Sequence, residues 1–564
     1  MPGSTGRSET PQTTVEALAR AALRFADREA LVDGDVRMDF ETLQTEVHDV
    51  ARALMALDVS PGARVAVWAP NTYHWVLFAL AVHCAGATLV PVNTRFTGHE
   101  ALDVLERTQA SVLAVPDRFL GTDRLDELRA AVDPSGMAGD AGETGPVPGL
   151  AFLRHVVLLP GDGSGDAPHG AGVLSWDDLM PRAITVTRQA LQERSAQVAP
   201  DDVSDILFTS GTTGRSKGAM STHRQAMAVA GAWADCGELS EHDRYLVINP
   251  FFHSFGYKAG ILAALSRGAA VVPQATFDIG EAMRLIDRER ITVLPGPPTI
   301  YQSILAAPER DEIDTSSLRL AVTGAAMVPV ALVERMRREL SFDTVLTAYG
   351  LTEAVVVTMC RPGDDPDTIS RTSGRPTAGF EVRVVDRDGH TLGPGEDGEV
   401  LVRGPNMMKG YLDDPEATAE AVDADGWLHT GDVGNLDERC YLTLTDRLKD
   451  VFTTGGFNVY PAEVEQTLAR LGDVVESAVV GVPDERLGEV GRAFVVLREG
   501  ARTTEDDVAA FCAERLANYK RPRYVDLVDR LPRNAGGKVL KRELRRQPMA
   551  QHAGAGRTTS EKES

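Results

Sequence analysis

Residues 208–218 read FTSGTTGRSKG. Ile206, Leu207 and Phe208 run into this stretch as a buried strand does, and a helical stretch is expected from about Thr222. Between them, Gly211, Gly214 and Gly218 free the backbone to curl. Thr209, Ser210, Thr212, Thr213 and Ser216 line it with hydroxyls, and Arg215 and Lys217 add two positive charges. Backbone N–H groups at glycines can wrap an anion, and hydroxyls donate to phosphate oxygens. The spacing predicts a strand, an anion-holding loop and then a helix. Two generic motifs compete for the same letters. Residues 214–218 formally fit G-x-S-x-G, the nucleophile elbow of a serine hydrolase, with Ser216 as nucleophile. An elbow needs one serine on a tight turn, whereas here hydroxyls are spread along the loop and no partner histidine is implied. A Walker A loop needs Gly and Lys adjacent ahead of Ser or Thr, and Ser216 precedes Lys217.

Outward from the loop, the chain alternates helix and strand from Val15 onward. Leu43, Val47, Val50 and Leu54 recur at helical spacing, and residues 64–68 read as a buried strand that ends at Pro70. Such alternation predicts mainly parallel sheets covered by helices. Residues 133–170, rich in Gly, Asp and Pro, read as a long surface excursion interrupted by one short apolar run. After about Thr377 the pattern becomes antiparallel and barrel-like, with alternation at 380–386 and 399–403 and a turn at Asp388-Gly389. GPGEDG at 393–398 fits G-x-G-x-x-G, but it lies between two alternating strands and carries two acids, so it is a turn. A third region, from about Arg447, has short strands at 477–482 and 493–497 and a helix near 505–516.

The 564 residues exceed what one core of about 250–300 residues holds. The expected division is a disordered N-terminus (1–14), a large N-terminal domain (15–446), a small C-terminal domain (447–547) and a disordered tail (548–564). The fold class is α/β: a large domain of two helix-flanked sheets with a β-barrel-like subdomain, and a small, mobile α+β domain. A formal charge of −24 argues against a nucleic-acid or membrane-surface binder. It also means that local donors must receive any polyanion against the overall field. Cys84, Cys236, Cys360, Cys440 and Cys512 are scattered with no C-x-x-C, which reads as reduced thiols of a cytoplasmic protein. No apolar run approaches the length of a membrane span.

Seven motifs in order carry a resemblance to the acyl-adenylate-forming superfamily of acyl-CoA ligases, firefly-type luciferases and peptide-synthetase adenylation domains. They are FTSGTTGRSKG (208–218), TGAAMVP (323–329), YGLTE (349–353), TGD (430–432), DRLKD (446–450), GGFNVYPAEVE (455–465) and PRNAGGK (532–538). The resemblance implies an enzyme that uses ATP to convert a carboxylic acid to an acyl-adenylate, then passes the acyl group to coenzyme A. It places ATP or AMP against Thr209, Ser210, Gly211, Thr212, Thr213, Gly214, Lys217, Gly324, Ala325, Ala326, Tyr349 and Gly350. Asp432 would hold the ribose, with Arg447 on its other side. Thr352 would point at the α-phosphate and Glu353 would carry Mg²⁺, for which a carboxylate is suited. His253, in NPFFHSFG (249–256), would border the acyl site.

Lys538 would stabilise charge on the α-phosphate as the carboxylate attacks. Lys449 would be the hinge about which the small domain rotates between the half-reactions. Gly455 and Gly456 would leave room for pantetheine, and Arg492, Lys520 and Arg521 would take the phosphates of CoA. The expected partners are a small carboxylic acid, ATP and CoA, with a homodimer left open. Alternatives remain: efficient catalysis of only one half-reaction, a stand-alone adenylation enzyme loading a carrier protein, a nucleotide-binding protein without turnover, or the serine hydrolase. Three positions depart from the family pattern: Cys440 and Gly536 stand where Gly and Ser or Thr are frequent, and Thr453 where some relatives carry lysine. In wording such as FFHSFGYKAG (251–260) and PGPPTIYQS (295–303), the chain resembles actinobacterial ligases for bulky ring-bearing acids, such as propanoate side chains of degraded sterols.

Overall fold

The computed structural model describes residues 11–133, 145–162, 170–209, 216–324, 328–447, 450–454, 457–484, 487–516, 518–533 and 539–548. Chain contacts group into two units, Met1–Thr430 with Gly434–Leu444, and Gly431–Val433 with Thr445–Ser564.

The first unit is built on two large sheets. One has eight strands in the order Gly410–Tyr411, Lys217–Thr222, Val203–Thr209, Thr88–Pro91, Arg64–Val67, Val112–Pro116, His155–Leu159 and Val173–Ser175. From Val203–Thr209 to Val173–Ser175 the neighbours run parallel. Period-2 alternation decides what each face buries. Val65, Val67, Ala114 and Val157 enter one core cluster, while Ala66, Leu113, Val115 and Val156 enter another. A parallel sheet buried on both faces therefore reads as unbroken apolar runs. The helix Tyr73–Cys84 is apolar all round for the same reason: every residue from His74 to Cys84 is buried.

The second sheet joins two four-stranded parts through Val293, which bridges Tyr245 and Leu320 in parallel. The strands Arg244–Val247, Leu320–Gly324 and Thr344–Leu351 consequently point the same way, and their C-terminal ends share one sheet edge. A smaller four-stranded sheet follows, Glu381–Val385, Gly398–Arg403, Leu428–Leu436 and Leu442–Arg447. The second unit has a five-stranded sheet centred on Gly488–Leu497. Pro461–Leu468 and Glu505–Arg515 share one of its core clusters, and Lys541–Arg546 contributes to the other. Among the described residues no helix is long and apolar enough to cross a membrane.

One expectation changes, and another gains an element. The apolar run inside 133–170 is no surface feature: His155–Leu159 is an interior strand of the large sheet, paired on both sides. The helix expected from about Thr222 is present, but the phosphate loop first forms a strand that the sequence did not announce. The loop returns as the strand Lys217–Thr222, antiparallel to Val203–Thr209, and only then does His223–Cys236 begin, capped by Thr222. That return strand is short and its partners are distant in sequence, so no local period announces it.

Cys440 closes the turn between Leu428–Leu436 and Leu442–Arg447 with φ +64°, a left-handed conformation that costs a side-chain-bearing residue about 1 kcal/mol. Cys440→Gly is expected to raise stability by about 0.5–1 kcal/mol. A denaturant midpoint that stays put or falls in this variant would contradict the strain.

Candidate active site

The phosphate hairpin lies near the edge of its sheet, with Thr209 Oγ1 donating to Lys217 O at 3.3 Å across its neck. Arg107 braces the same neck: Nη1 donates to Ser216 O at 2.5 Å, and the guanidinium lies 5.0 Å from the Phe208 ring centroid. Gly218 is closely packed, since a Cβ would stand 3.1 Å from Ile206 and 3.2 Å from Phe208. Among the described residues no histidine hydrogen-bonds Ser216, so the partner that an elbow serine requires is missing from them.

The outer edge of the hairpin is covered by the segment 407–412. Tyr411 pairs with Ala219 and Gly410 with Met220, while Leu412 N donates to Gly218 O at 2.8 Å. The same segment reaches the second hairpin, Thr344–Leu351 with Ala354–Met359, whose turn carries Thr352 and Glu353. Met408 N donates to Glu353 O at 2.6 Å, Ala354 bridges Met407, and the Tyr411 hydroxyl donates to Glu353 Oε1 at 2.8 Å. Lys217 Nζ lies 4.9 Å from the Tyr411 ring centroid. Tyr411 thus joins the cation of the phosphate hairpin to the carboxylate of the YGLTE turn. Burial and the Glu353 carboxylate both raise its pKa, so the phenol keeps its proton and remains a donor. Sequence reasoning missed it, because a two-residue strand leaves no period to read.

His253, Gly324 and Tyr349–Glu353 lie at or beyond the C-terminal ends of three parallel strands, the edge where ligands bind in open α/β sheets. The loop carrying His253 is tightly held. Phe251 N donates to Asn71 Oδ1 at 2.8 Å, and Asn249 Nδ2 donates to Pro295 O at 3.0 Å. A Cβ on Gly256 would meet Pro250 O at 2.3 Å. His253 Nδ1 accepts from Phe255 N at 3.3 Å, which leaves the proton of the neutral ring on Nε2. The ring is open to solvent, yet the protein mass around it disfavours the imidazolium and lowers its pKa. Both observations fit a side chain lining a recess.

Gly324 and Gly350 owe their smallness to backbone. A Cβ on Gly324 would stand 2.6 Å from Ala348 O, and one on Gly350 2.5 Å from Val356 N. Tyr349 is largely buried with Phe380, Val400 and Leu428. Asp432 is buried on the strand Leu428–Leu436, behind Gly431 at φ +66°. Arg447 ends the strand Leu442–Arg447, and its side chain is outside the described set. Ser210, Gly211, Thr212, Thr213, Gly214, Ala325, Ala326, Lys449, Gly455, Gly456 and Lys538 also lie outside the described residues.

In the second unit, Lys520 Nζ donates to Glu463 Oε1 at 2.6 Å, and the exposed Arg521 donates to Leu516 O at 2.9 Å. Arg492 behaves differently from the expected CoA ligand. Its side chain is 3% exposed, pairs with Asp526 at 2.7 Å, donates to Gln547 O and Pro548 O, and stacks 4.6 Å from the Phe494 ring. A guanidinium so committed anchors the backbone at Gln547 and Pro548 and is not carried further as a phosphate ligand.

Comparison with known proteins agrees with this fold. The AMP-binding enzyme family matches residues 18–412, and the AMP-binding enzyme C-terminal domain matches residues 463–538. The chain is 59% identical over 538 residues to the 3-[(3aS,4S,7aS)-7a-methyl-1,5-dioxo-octahydro-1H-inden-4-yl]propanoyl:CoA ligase of Rhodococcus jostii, covering 95% of this chain and 99% of that one. It is 54% identical to the ligase of the same name from Mycobacterium tuberculosis, covering 95% and 98%. ATP-bound MatB from Rhodopseudomonas palustris superimposes with a TM-score of 0.80 at 29% identity, over 94% of this chain and 98% of that one. The chain belongs to the AMP-binding enzyme family, as an acyl-CoA ligase that forms an acyl-adenylate on the way to the thioester.

Proposed function

We propose that the acid is a bulky, polycyclic propanoate of the steroid-derived kind. The observation that carries this reading is near-full-length identity of 59% and 54% to two ligases named for a methyl-dioxo-octahydroindenyl propanoate. The setting is the cytoplasm, where ATP and CoA are supplied.

The roles follow from charge. With a net charge of −24, the chain must meet ATP through local donors, and the phosphate hairpin with Lys217 is the set that supports this. Glu353 suits Mg²⁺: Tyr411 fixes one carboxylate oxygen, and among the described residues nothing hydrogen-bonds the other. Bound there, the ion would neutralise charge on the leaving pyrophosphate. Asp432 and Arg447 flank the ribose, Tyr349 and Gly350 the adenine, and Gly324 with Ala325 and Ala326 the adenylate. His253, neutral by its surroundings, borders the acyl group without competing with Lys538 for the carboxylate. Lys538 then stabilises the adenylation transition state. Rotation about Lys449 brings Gly455, Gly456, Lys520 and Arg521 to the thiol and phosphates of CoA.

A panel of acids tests the substrate, with pyrophosphate release and thioester formation measured separately. A hydrindane-type bicyclic propanoate is expected to exceed palmitate and benzoate in kcat/KM by about 100-fold, the discrimination that about 2–3 kcal/mol of pocket contact supplies. Preference for a linear or monocyclic acid would overturn the assignment.

A further inference from the structure

The segment carrying His253 is tied to the phosphate hairpin by a buried ion pair. Lys258 and Asp205 are 1% and 0% exposed, with Nζ 2.8 Å from Oδ1. Lys258 Nζ also donates to Ser221 Oγ at 2.7 Å. Ser204 Oγ donates to Asp205 Oδ2 at 2.7 Å and lies 3.1 Å from Ser221 O. Asp205 and Ser221 face each other across the hairpin, so a single ammonium grips both of its strands. Lys258 comes five residues after His253, inside the π-helical turn Tyr257–Leu262. Turns of that type recur at functional sites because the extra residue re-aims side chains.

Stability alone does not account for the pair. Replacing two buried charges by apolar groups of similar volume is commonly neutral or stabilising. What an apolar pair could not do is fix one helix position against one strand position, since apolar contact has no direction. Asp205 lies four residues ahead of Thr209, about 13 Å along the strand. The pair therefore acts through the elements that it holds. We propose that Lys258 and Asp205 are positioning residues, clasping the acid-bordering segment of His253 to the phosphate hairpin so that the substrate carboxylate meets the α-phosphorus in register. This inference rests on the site reading given under Proposed function.

The test is the double variant Asp205→Asn/Lys258→Met, which removes both charges and leaves neither stranded. Its unfolding midpoint is expected at or above the parent's, while kcat/KM for pyrophosphate release falls about 10–100-fold, the scale that a misplacement near 1 Å produces. The loss is expected to appear in KM for both the acid and ATP. Parental kcat and KM in the folded double variant would overturn the clasp, whatever its midpoint does. Should the double variant fail to fold, Lys258→Arg carries the test: it keeps the charge, lengthens the arm and is expected to raise both KM values several-fold. Unchanged values would again overturn the clasp. If the parent released no pyrophosphate with any acid, the ligase reading would fall instead. ATP affinity by calorimetry would still score the clasp, since a displaced hairpin binds ATP at least several-fold more weakly and an undisturbed one binds it equally.

Discussion

Lys538→Ala is expected to slow acyl-adenylate formation by about 10²–10³-fold, the cost of removing one fixed donor from a developing oxyanion. Thioester formation from a supplied acyl-adenylate should stay within a few-fold of the parent. The asymmetry is the content of the expectation. During adenylation, negative charge gathers on the phosphoryl oxygens and on the incoming carboxylate oxygen, and an ammonium there favours the transition state over the ground state. In the second half-reaction the phosphate leaves as AMP with its charge already settled. The described residues beside Lys538 suit a presented lysine. Arg533 and Val539 face each other in an antiparallel bridge, and Leu540 N donates to Pro532 O at 2.8 Å, so the two ends of the segment are fixed. Rapid-quench measurement of acyl-AMP, beside an assay on synthetic acyl-adenylate, separates the two steps. Equal losses in both would remove Lys538 from the chemistry.

The fold should weaken steeply as pH falls from about 6.5 to 4, because buried histidines are held neutral. Burial lowers the pKa of His74 and His83 from 6.5 to about 4 and lowers that of His223 in the same direction. A depressed folded-state pKa means that the unfolded chain binds more protons inside this window. Stability is therefore complete above pH 6.5 and is lost as pH falls towards 4. At about 1.4 kcal/mol per unit, each printed shift amounts to about 3 kcal/mol across the window, and about 2 kcal/mol by pH 5. Against the 5–15 kcal/mol that holds a typical domain, such a loss is large. The hydrogen bonds give the cause a shape. His83 Nε2 lies 3.1 Å from Ser204 O, so it donates there and its Nδ1 must accept from Thr14 Oγ1 at 2.9 Å. Thr14 Oγ1, having given its proton to His83, accepts from His223 Nδ1 at 2.9 Å. Protonating His83 would make Thr14 Oγ1 accept from both rings and drive its own proton out of the bond to His83. Urea midpoints at pH 7, 6, 5 and 4.5 check this, and a flat series would contradict it.

The chemistry of this protein was legible wherever it depends on composition within a few consecutive residues. The glycines and hydroxyls of 208–218 and the YGLTE turn are of that kind, and so are the apolar runs at 477–482 and 493–497, which lie within the strands Val474–Asp484 and Gly488–Leu497. What stayed hidden is pairing at a distance. Tyr411 matters because a two-residue strand pairs Gly410 with Met220, 190 residues earlier. Arg492 resembled a free phosphate ligand until Asp526 took it. His155–Leu159 looked peripheral because its flanks are polar, yet a strand paired on both sides needs only four apolar residues, Val156 to Leu159, when its neighbours come from elsewhere. Lys258 in a run of apolar letters gave no hint of Asp205.

The glycines at 324 and 350 also bear on how tolerance to substitution should be read. Each is demanded by a neighbouring peptide unit, so any larger residue breaks the scaffold before a ligand is consulted. A saturation scan would rank both among the least replaceable positions for every acid, and that ranking would measure folding, not recognition. Variation in diet among such ligases has to be written in side chains that point into open space, while these two positions stay silent about what the enzyme eats.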